Sequence, residues 1–310
     1  MSKQTADWLC HSTSQQACQH CMSQSGKNLE WVYCDLCGAN SAKSVYVVKG
    51  DQPFSFPEPL AYVMCKQCGL VYTNPRPCKE VTEGQYEEKY ARTDLPIDSN
   101  NYLRKILENS VGRLAFIEKY KQGKELLDVG CCQGNFISVA RLKGWNVLGV
   151  EVSKRYSTVA REQFKLPVMT NTIENAGLLP DSFDVVTSFD VIEHLPDPLN
   201  FLRQCKLLLR KDGILIAETC NYDALHQLVL GKRWQSDAGQ HLYLFTPKTL
   251  REIAEKAGLK VIEINKRTGW EHIFSREVGE QWWHTICNVL FRMLSVILGK
   301  QSMIVLVATK

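Results

Sequence analysis

The sequence has 310 residues, of which 45% are hydrophobic and 23% are charged, close to the average for soluble globular proteins. These values exclude a wholly disordered chain, a collagen-like chain and a multi-span membrane protein. At roughly 150 residues per domain, the length predicts one large domain with an appendage, or two domains. The net charge of +4 is too small to indicate a nucleic-acid partner by itself.

Thirteen cysteines are more than usual, but an odd count in a long chain is unlike a secreted disulfide scaffold. The N-terminus lacks the apolar run of a signal peptide, and no stretch reaches the ~20 apolar residues of a membrane span. We therefore predict a cytoplasmic protein with reduced thiols, in which cysteine pairs are interpreted first as metal ligands.

Residues 1–30 are polar and rich in Gln and Ser, which favours a flexible tail. The alternative is that Cys18 and Cys21, which have two residues between them in this tail, bind a metal. Residues 31–78 contain two strand-like runs between cysteine pairs and predict a small separate unit. Residues 79–121 predict a helical lid or linker, with helices over Tyr86–Tyr90 and Asn100–Tyr120.

Residues 31–78 contain two copies of the pattern Cys-x-x-Cys-Gly. The two-residue gap lets both thiolates of a pair bind one tetrahedral Zn²⁺, and the glycine permits the tight left-handed turn that follows. The alternatives are four incidental buried cysteines or a redox pair, and the duplicated pattern favours a structural zinc ribbon. The four predicted zinc ligands are Cys34, Cys37, Cys65 and Cys68.

From residue 122 onward, strand-like runs alternate with helical patterns, which predicts an α/β domain with a parallel sheet covered by helices on both faces. Residues 270–299 are predicted to form an insertion in this domain. The predicted strands are Leu126–Val129, Asn146–Val150, Phe183–Ser188, Ile214–Glu218, Lys260–Ile264 and Met303–Ala308. The predicted helices are Phe136–Lys143, Lys154–Phe164, Leu199–Leu209 and Pro247–Ala257, the last with Thr246 as its N-cap.

A glycine-bearing loop, Asp128-x-Gly130-x-x-x-Gly134, joins the first of these strands to a helix. Glu151 ends the next strand, at about the distance where a doubly wound fold places an acid for ribose hydroxyls. An acid at the head of the loop would repel a diphosphate but suits a ligand with an amino group and a sulfonium. This disfavours a dinucleotide.

These motifs, together with the stretches Phe183–Pro198 and Leu207–Thr219, resemble class I S-adenosylmethionine-dependent methyltransferases over residues 124–310. With the ribbon in front, the layout is similar to bacterial sugar C-methyltransferases and to relatives of ubiquinone O-methyltransferase. The resemblance implies a Rossmann-like doubly wound sheet with an antiparallel last strand. It also implies a small-molecule acceptor, such as a sugar or a polysaccharide precursor.

The resemblance also implies roles for individual residues. Gly130 and Gly134 would let the backbone approach the methionine part of the cofactor, Asp128 would lie near its amino group, and Glu151 would accept from both ribose hydroxyls. Cys132 replaces the middle loop glycine of the family, so its Cβ would tilt the loop or crowd the cofactor. The implied adenine contacts are Ile173 and Glu174, and Phe189 would line the pocket.

Two histidines are candidates for removing a proton from the acceptor. His194 follows the fourth strand, and its alternative role is a hydrogen bond to the loop. His241 resembles the family's Glu-His segment near the substrate, but Gln240 stands where the glutamate is usual, so a structural histidine is the alternative. Tyr243 is predicted to pack.

The apolar run Trp282–Leu298 is too short to span a membrane. We expect it to pack on the domain or on a second subunit, and peripheral contact with a membrane is the alternative. Basic residues are not interleaved with aromatics, so an RNA-binding face has little support; an RNA methyltransferase is nevertheless the enzymatic alternative. Cys132 and Gln240 leave open a binding protein without catalysis. The sequence does not indicate an oligomeric state.

Overall fold

The computed structural model describes residues 29–48, 60–78, 81–82, 100–230, 241–268 and 282–310. The predicted tail up to residue 28, with Cys18 and Cys21, lies outside the described residues. The same is true of the helix expected over Tyr86–Tyr90 and of Gln240.

The N-terminal described part contains five short strands and the four cysteines. Its strands are β1 (Leu29–Glu30), β2 (Ala42–Val48), β3 (Leu60–Cys65), β4 (Val71–Thr73) and β5 (Arg76–Pro77). Strands β2, β3 and β4 form an antiparallel meander, and β1 pairs with β5 in a separate two-stranded ladder. The cysteine pairs lie at the turn before β2 and at the turn between β3 and β4.

The rest of the chain alternates helices and strands from residue 100 to the C-terminus. In chain order the elements are α1 (Asn100–Ile117), β6 (Glu125–Val129), α2 (Asn135–Leu142), β7 (Asn146–Glu151), α3 (Lys154–Glu162), β8 (Val168–Thr170), β9 (Phe183–Phe189), a 3-10 helix (Ile192–His194), α4 (Pro198–Leu208), β10 (Leu209–Cys220), α5 (Leu225–Leu230), β11 (Tyr243–Leu244), α6 (Pro247–Lys256), β12 (Lys260–Arg267), α7 (Trp282–Ile297) and β13 (Met303–Thr309).

Seven of these strands form one sheet in the order β12-β13-β10-β9-β6-β7-β8. Strands β6 to β10 are parallel to one another, whereas β13 is antiparallel to both β10 and β12. The expectation of a Rossmann-like doubly wound sheet with an antiparallel last strand is therefore confirmed. The central strands are buried on both faces, because helices cover each side.

Two apolar cores lie on opposite faces of the sheet. One contains Ile117 of α1, with Phe136 and Ile137 of α2. The other contains Phe201 of α4 and Leu250 of α6, and it continues into the ribbon through Cys34, Leu36, Cys65 and Leu70. The ribbon therefore shares its core with the large sheet.

Strand β11 joins the ribbon sheet rather than the large sheet. It pairs antiparallel with β4, with Tyr243 opposite Tyr72, and makes a four-stranded sheet in the order β11-β4-β3-β2. Residues far apart in sequence thus complete the ribbon, which a local pattern cannot indicate.

Many of the apolar side chains that the structure describes in helix α7 are exposed to solvent. No helix among the described residues is long and apolar enough to cross a membrane. Packing on the domain or on a second subunit, and peripheral contact with a membrane, stay predictions for this helix. The exposed apolar residues of this helix are Val289, Leu290, Met293, Leu294, Val296 and Ile297.

Candidate functional site

The candidate site lies at the carboxyl edge of the parallel strands. Strand β6 has β7 on one side and β9 on the other, so the chain leaves β6 and β9 in opposite directions. Such a switch point opens a crevice where doubly wound folds bind their ligands. Apart from His241, the residues predicted for the cofactor and for proton removal lie at or just after the ends of β6, β7, β8 and β9, so they meet at this edge.

The loop after β6 requires glycine at two positions. Gly130 and Gly134 have φ angles of 76° and 82°, in the left-handed region that residues with a Cβ rarely adopt. A Cβ on Gly130 would come within 2.4 Å of Val191 Cγ2, and one on Gly134 within 2.3 Å of Leu166 Cδ1. The loop is tied to β7 because the Gly130 N–H donates to the Val150 carbonyl at 2.8 Å.

Cys132 takes up a glycine-like conformation in the same loop. Its φ angle is 49°, and its side chain is exposed. Its backbone N–H donates to Glu151 Oε2 at 2.9 Å, which fastens the loop to the end of β7. The backbone therefore follows a left-handed path in spite of the Cβ, at a cost of about 1–2 kcal/mol.

Two buried carboxyls face this loop. Asp128 Oδ1 accepts from the Thr187 hydroxyl at 2.7 Å, and burial raises the pKa of Asp128 to about 7. Glu151 Oε1 accepts from the Ser153 N–H at 2.8 Å, and burial also raises the pKa of Glu151. Because both carboxyls are desolvated, the site favours a ligand that brings positive charge or hydrogen-bond donors.

Arg113 of α1 is a site residue that the sequence did not reveal. Its guanidinium donates to Glu218 Oε1 at 2.5 Å and lies 3.5 Å from Asp190 Oδ2. The guanidinium carbon also lies 4.0 Å from the ring centroid of Phe189, a cation–π contact. Phe189 in turn meets Phe136 edge-to-face, with the ring centroids 5.1 Å apart.

The two residues expected at the adenine ring follow β8 and differ in exposure. Ile173 is buried in the core, and Glu174 is exposed. Since β8 lies next to β7, both residues are on the Glu151 side of the crevice. The position agrees with a contact to a base attached to a ribose at Glu151, and the contact itself stays a prediction.

His194 and His241 are brought together by the fold. Their rings meet edge-to-face with centroids 4.7 Å apart. His194 ends the 3-10 helix that follows Val191, and Val191 packs against Gly130, so the histidine pair adjoins the glycine loop. His241 is buried, and His194 is partly exposed.

Glu193 lies beside this pair and was not singled out from the sequence. It is only 1% exposed, and neither carboxyl oxygen has a hydrogen-bond partner among the described residues. Burial and the charge of Asp190 raise the pKa of Glu193 to about 8; the nearby Thr219 hydroxyl opposes this rise without reaching hydrogen-bond geometry. Ligand atoms of Glu193, Cys220 and His241 lie within 4.8 Å of one another, so these side chains could hold a metal ion.

The four predicted zinc ligands converge in the ribbon. All four sulfurs lie within 4.8 Å of one another, with Cys34 to Cys68 and Cys37 to Cys65 at 3.5 Å. Gly38 and Gly69, which follow the pairs, have φ angles of 76° and 83°, as the knuckle pattern predicts. Four converging thiols suit a tetrahedral Zn²⁺ without an open position for water.

The chain is similar in sequence to known methyltransferases. A family model described as a methyltransferase domain matches residues 100–264, more than half of the chain. The chain is 31% identical over 154 residues to a ubiquinone biosynthesis O-methyltransferase of Cereibacter sphaeroides, covering 46% of this chain and 62% of that enzyme. It is 29% identical over 177 residues to the enzyme of that name from Chromobacterium violaceum, covering 52% and 76%. The chain thus spans less than two thirds of the first enzyme.

Among solved structures, an S-adenosylmethionine-dependent methyltransferase from Archaeoglobus fulgidus matches with a TM-score of 0.50 and 21% identity. The match covers 68% of this chain and 100% of that chain. At this identity it shows a shared fold.

Proposed function

The chain belongs to the methyltransferase domain family, and from that premise we propose that it transfers a methyl group from S-adenosylmethionine to a small-molecule acceptor. The observation that carries the proposal is the meeting of three features at one sheet edge. These are the glycine loop, the buried acids Asp128 and Glu151, and the paired rings of His194 and His241.

The charges of the site fit this cofactor. Five carboxyls surround the crevice with two guanidiniums: Arg113 pairs with Glu218 and Asp190, and Arg267 pairs with Glu218. This excess of acidic over basic groups favours a ligand that carries an ammonium and a sulfonium. Besides Glu218, these carboxyls belong to Asp128, Glu151, Asp190 and Glu193.

Individual residues would then hold separate parts of the cofactor. Asp128 would accept from the amino group, and each Glu151 oxygen, which already accepts one backbone N–H, has a further lone pair for a ribose hydroxyl. Gly130 and Gly134 would shape the backbone around the methionine part. Ile173 and Glu174 would contact the adenine, and Phe189 would line the pocket.

Methyl transfer needs the acceptor to lie in line with the methyl group and, for a hydroxyl acceptor, a group that takes its proton. When bound, S-adenosylmethionine supplies the electrophilic methyl. We assign proton removal to His241, and the partly exposed His194 is the second candidate. The assignment is supported by Val191, three residues before His194, which packs on Gly130 of the loop, and by the contact of the two imidazole rings.

The acceptor is proposed to be a small molecule methylated on oxygen, because the relatives are named O-methyltransferases. A sugar or polysaccharide precursor, which the resemblance of the sequence implied, is the alternative acceptor. We further propose that Cys34, Cys37, Cys65 and Cys68 bind one structural Zn²⁺, supported by the convergence of their sulfurs.

Calorimetric titration with S-adenosylhomocysteine tests the cofactor assignment. Wild-type protein should bind it, and Glu151→Gln should bind it at least ~10-fold more weakly, because hydrogen bonds to charged groups contribute about 1.5–3 kcal/mol. Glu162→Gln is a matched control, since this exposed residue ends α3, away from the strand ends that carry the site. If the wild type gives no heat and no thermal shift at millimolar cofactor, the cofactor assignment is wrong. The alternative of a binding protein without catalysis would then remain.

The base is tested separately, once a small-molecule screen with bound cofactor has identified an acceptor. His241→Ala should lower turnover at least ~100-fold if His241 takes the proton. Near-full activity of His241→Ala would transfer the role to His194 or to solvent.

A further inference from the structure

The segment that carries His241 is held by the zinc ribbon. The buried Tyr62 hydroxyl of β3 donates to the His241 carbonyl at 2.5 Å, and the Thr73 N–H of β4 donates to the Leu242 carbonyl at 2.9 Å. Strand β11 begins at the next residue and pairs with β4. Three successive residues are thus fastened to the ribbon backbone or to a ribbon side chain.

The segment that carries His194 is held by the same ribbon through Arg76. Arg76 Nη1 donates to the Pro196 carbonyl at 2.8 Å, two residues after His194. It also donates to the Tyr243 hydroxyl at 2.5 Å, and that hydroxyl donates to the Asp35 carboxyl. Arg76 therefore connects both histidine segments to one point of the ribbon.

These contacts are buried and reach the cysteine knuckles directly. Tyr62 and Tyr243 are fully buried and Arg76 is 8% exposed, so their hydrogen bonds are shielded from water. Asp35 lies within the first Cys-x-x-Cys knuckle, and β3 ends at Cys65, a cysteine of the second. A change in the knuckles would therefore move the groups that hold both histidines.

Among the described residues, the hydrogen bonds that hold the two cofactor acids do not involve the ribbon. Asp128 is held by Thr187 of β9, and Glu151 is held by the backbone of Cys132 and Ser153. All of these groups belong to the large sheet and its loops.

We propose that the ribbon is a positioning part of the active site, in which Tyr62 and Arg76 set the places of the His241 and His194 imidazoles. The inference rests on the proposed function, because that function gives the two imidazoles their role in proton removal. The contacts between the ribbon and the histidine segments do not depend on it. Tyr62 and Arg76 are positioning residues, because they touch the histidine segments and not the reacting atoms. The ribbon should thus control the histidines while leaving cofactor affinity unchanged.

Tyr62→Phe is the sharpest variant, because it removes one hydroxyl and keeps the ring. Its matched control is Tyr46→Phe. The Tyr46 ring stacks on Tyr62 with centroids 4.9 Å apart, and its hydroxyl has no hydrogen-bond partner among the described residues. Arg76→Lys keeps the charge but cannot reach two acceptors in the planar geometry of a guanidinium, so it serves as the second variant.

The measurement is nuclear magnetic resonance of ¹³C-labelled histidine in the full chain, with S-adenosylhomocysteine as the bound probe. The chain has seven histidines, and His241→Gln and His194→Gln assign the two signals. We expect Tyr62→Phe and Arg76→Lys to move the chemical shifts and titration midpoints of both histidines, while Tyr46→Phe leaves them in place. All three variants should bind S-adenosylhomocysteine within about twofold of wild type, since the two sets of contacts are separate.

Three outcomes would contradict either the positioning role of the ribbon or the proposed function. Histidine signals in Tyr62→Phe that match those in Tyr46→Phe would overturn the positioning role. Loss of S-adenosylhomocysteine binding in Tyr62→Phe and Arg76→Lys would overturn it as well, by showing that the ribbon supports the whole domain. Failure of the wild type to bind the probe contradicts the proposed function instead, and the histidine spectra of the free protein still decide the ribbon inference.

Discussion

Cys132 is the residue at which the loop after β6 departs from the glycine pattern that the resemblance of the sequence implies. It holds a φ of 49°, and its N–H bonds Glu151, so the loop keeps its path while carrying a side chain at the open edge of the site. Glycine is the residue used where backbone approaches a ligand closely. The Cys132 thiol therefore stands where a glycine would leave room for a closer ligand.

We expect Cys132→Gly to raise the affinity for S-adenosylhomocysteine about two- to fivefold, corresponding to relief of about 0.5–1 kcal/mol. Stability should change little, because relief of left-handed strain is offset by the greater freedom of glycine in the unfolded chain. Calorimetry gives the affinity, and urea unfolding gives the free energy of unfolding.

Cys131→Ala is the control in the same loop. Cys131 is buried, and its sulfur packs closely on Gly149. A Cβ added to Gly149 would come within 2.5 Å of this sulfur, so Cys131 contributes to packing. Its truncation should lower the free energy of unfolding by about 1 kcal/mol without raising affinity. An affinity gain in Cys131→Ala equal to that in Cys132→Gly would show that loop loosening, and not the Cys132 side chain, sets the affinity.

The residues of the site were predictable to different degrees. Gly130 and Gly134 stand out because a loop between strand and helix needs left-handed backbone there, and Glu151 because it ends the next strand. Arg113 was not predictable, since a basic residue on an amphipathic helix is normally a solvated one. Glu193 was missed for a similar reason: its burial depends on the segment around His241, which is distant in sequence.

Helix α1 is tied to the sheet by a buried charge contact rather than by apolar packing alone. Arg113 and Glu218 have side chains only 15% and 3% exposed, with the charged atoms 2.5 Å apart. Arg267 of β12 approaches the other Glu218 oxygen at 2.8 Å. One carboxylate therefore joins α1, β10 and β12 beside the crevice.

Arg113→Met should lower the free energy of unfolding by about 3 kcal/mol, because it leaves a buried carboxylate with one partner fewer. Arg104→Met is the matched control on the same helix. Arg104 pairs with Glu108 at 2.7 Å, but both side chains are largely exposed, so its loss should cost less than about 0.5 kcal/mol. Urea unfolding compares the two, and equal small effects would show that the buried contact does not stabilise α1.

The elements that the sequence predicted are those with a strong period of their own. Helix α6 begins where expected, and Thr246 caps it by accepting from the Thr249 N–H. Strands β8 and β11 were not predicted, because they have three and two residues and exist through their partners. Strand β10 extends beyond the predicted Ile214–Glu218 at both ends, where β9 and β13 supply its pairing.

At the scale of the whole molecule, folding gathers acids from distant parts of the chain into one crevice. Burial raises the pKa of Asp128 to about 7 and that of Glu193 to about 8, so the folded protein holds protons that the unfolded chain releases near pH 4. The contribution of these two acids to the free energy of unfolding is fully present below pH 4. It is lost as the pH rises through their folded-state pKa values of about 7 and 8. The ligand-free protein should therefore lose unfolding free energy from these acids between about pH 4 and pH 8, measured by thermal unfolding.

Binding of the cofactor should have the opposite dependence on pH. A cationic amino group requires the ionised form of Asp128, and with a pKa of about 7 that form rises from about a tenth at pH 6 to about nine tenths at pH 8. The affinity for S-adenosylhomocysteine should therefore be about tenfold higher at pH 8 than at pH 6. In Asp128→Asn the affinity should be low at both pH values, and the tenfold ratio should collapse. A ratio that persists in Asp128→Asn would assign the titration to another acid of the crevice, with Glu193→Gln as the next variant to measure.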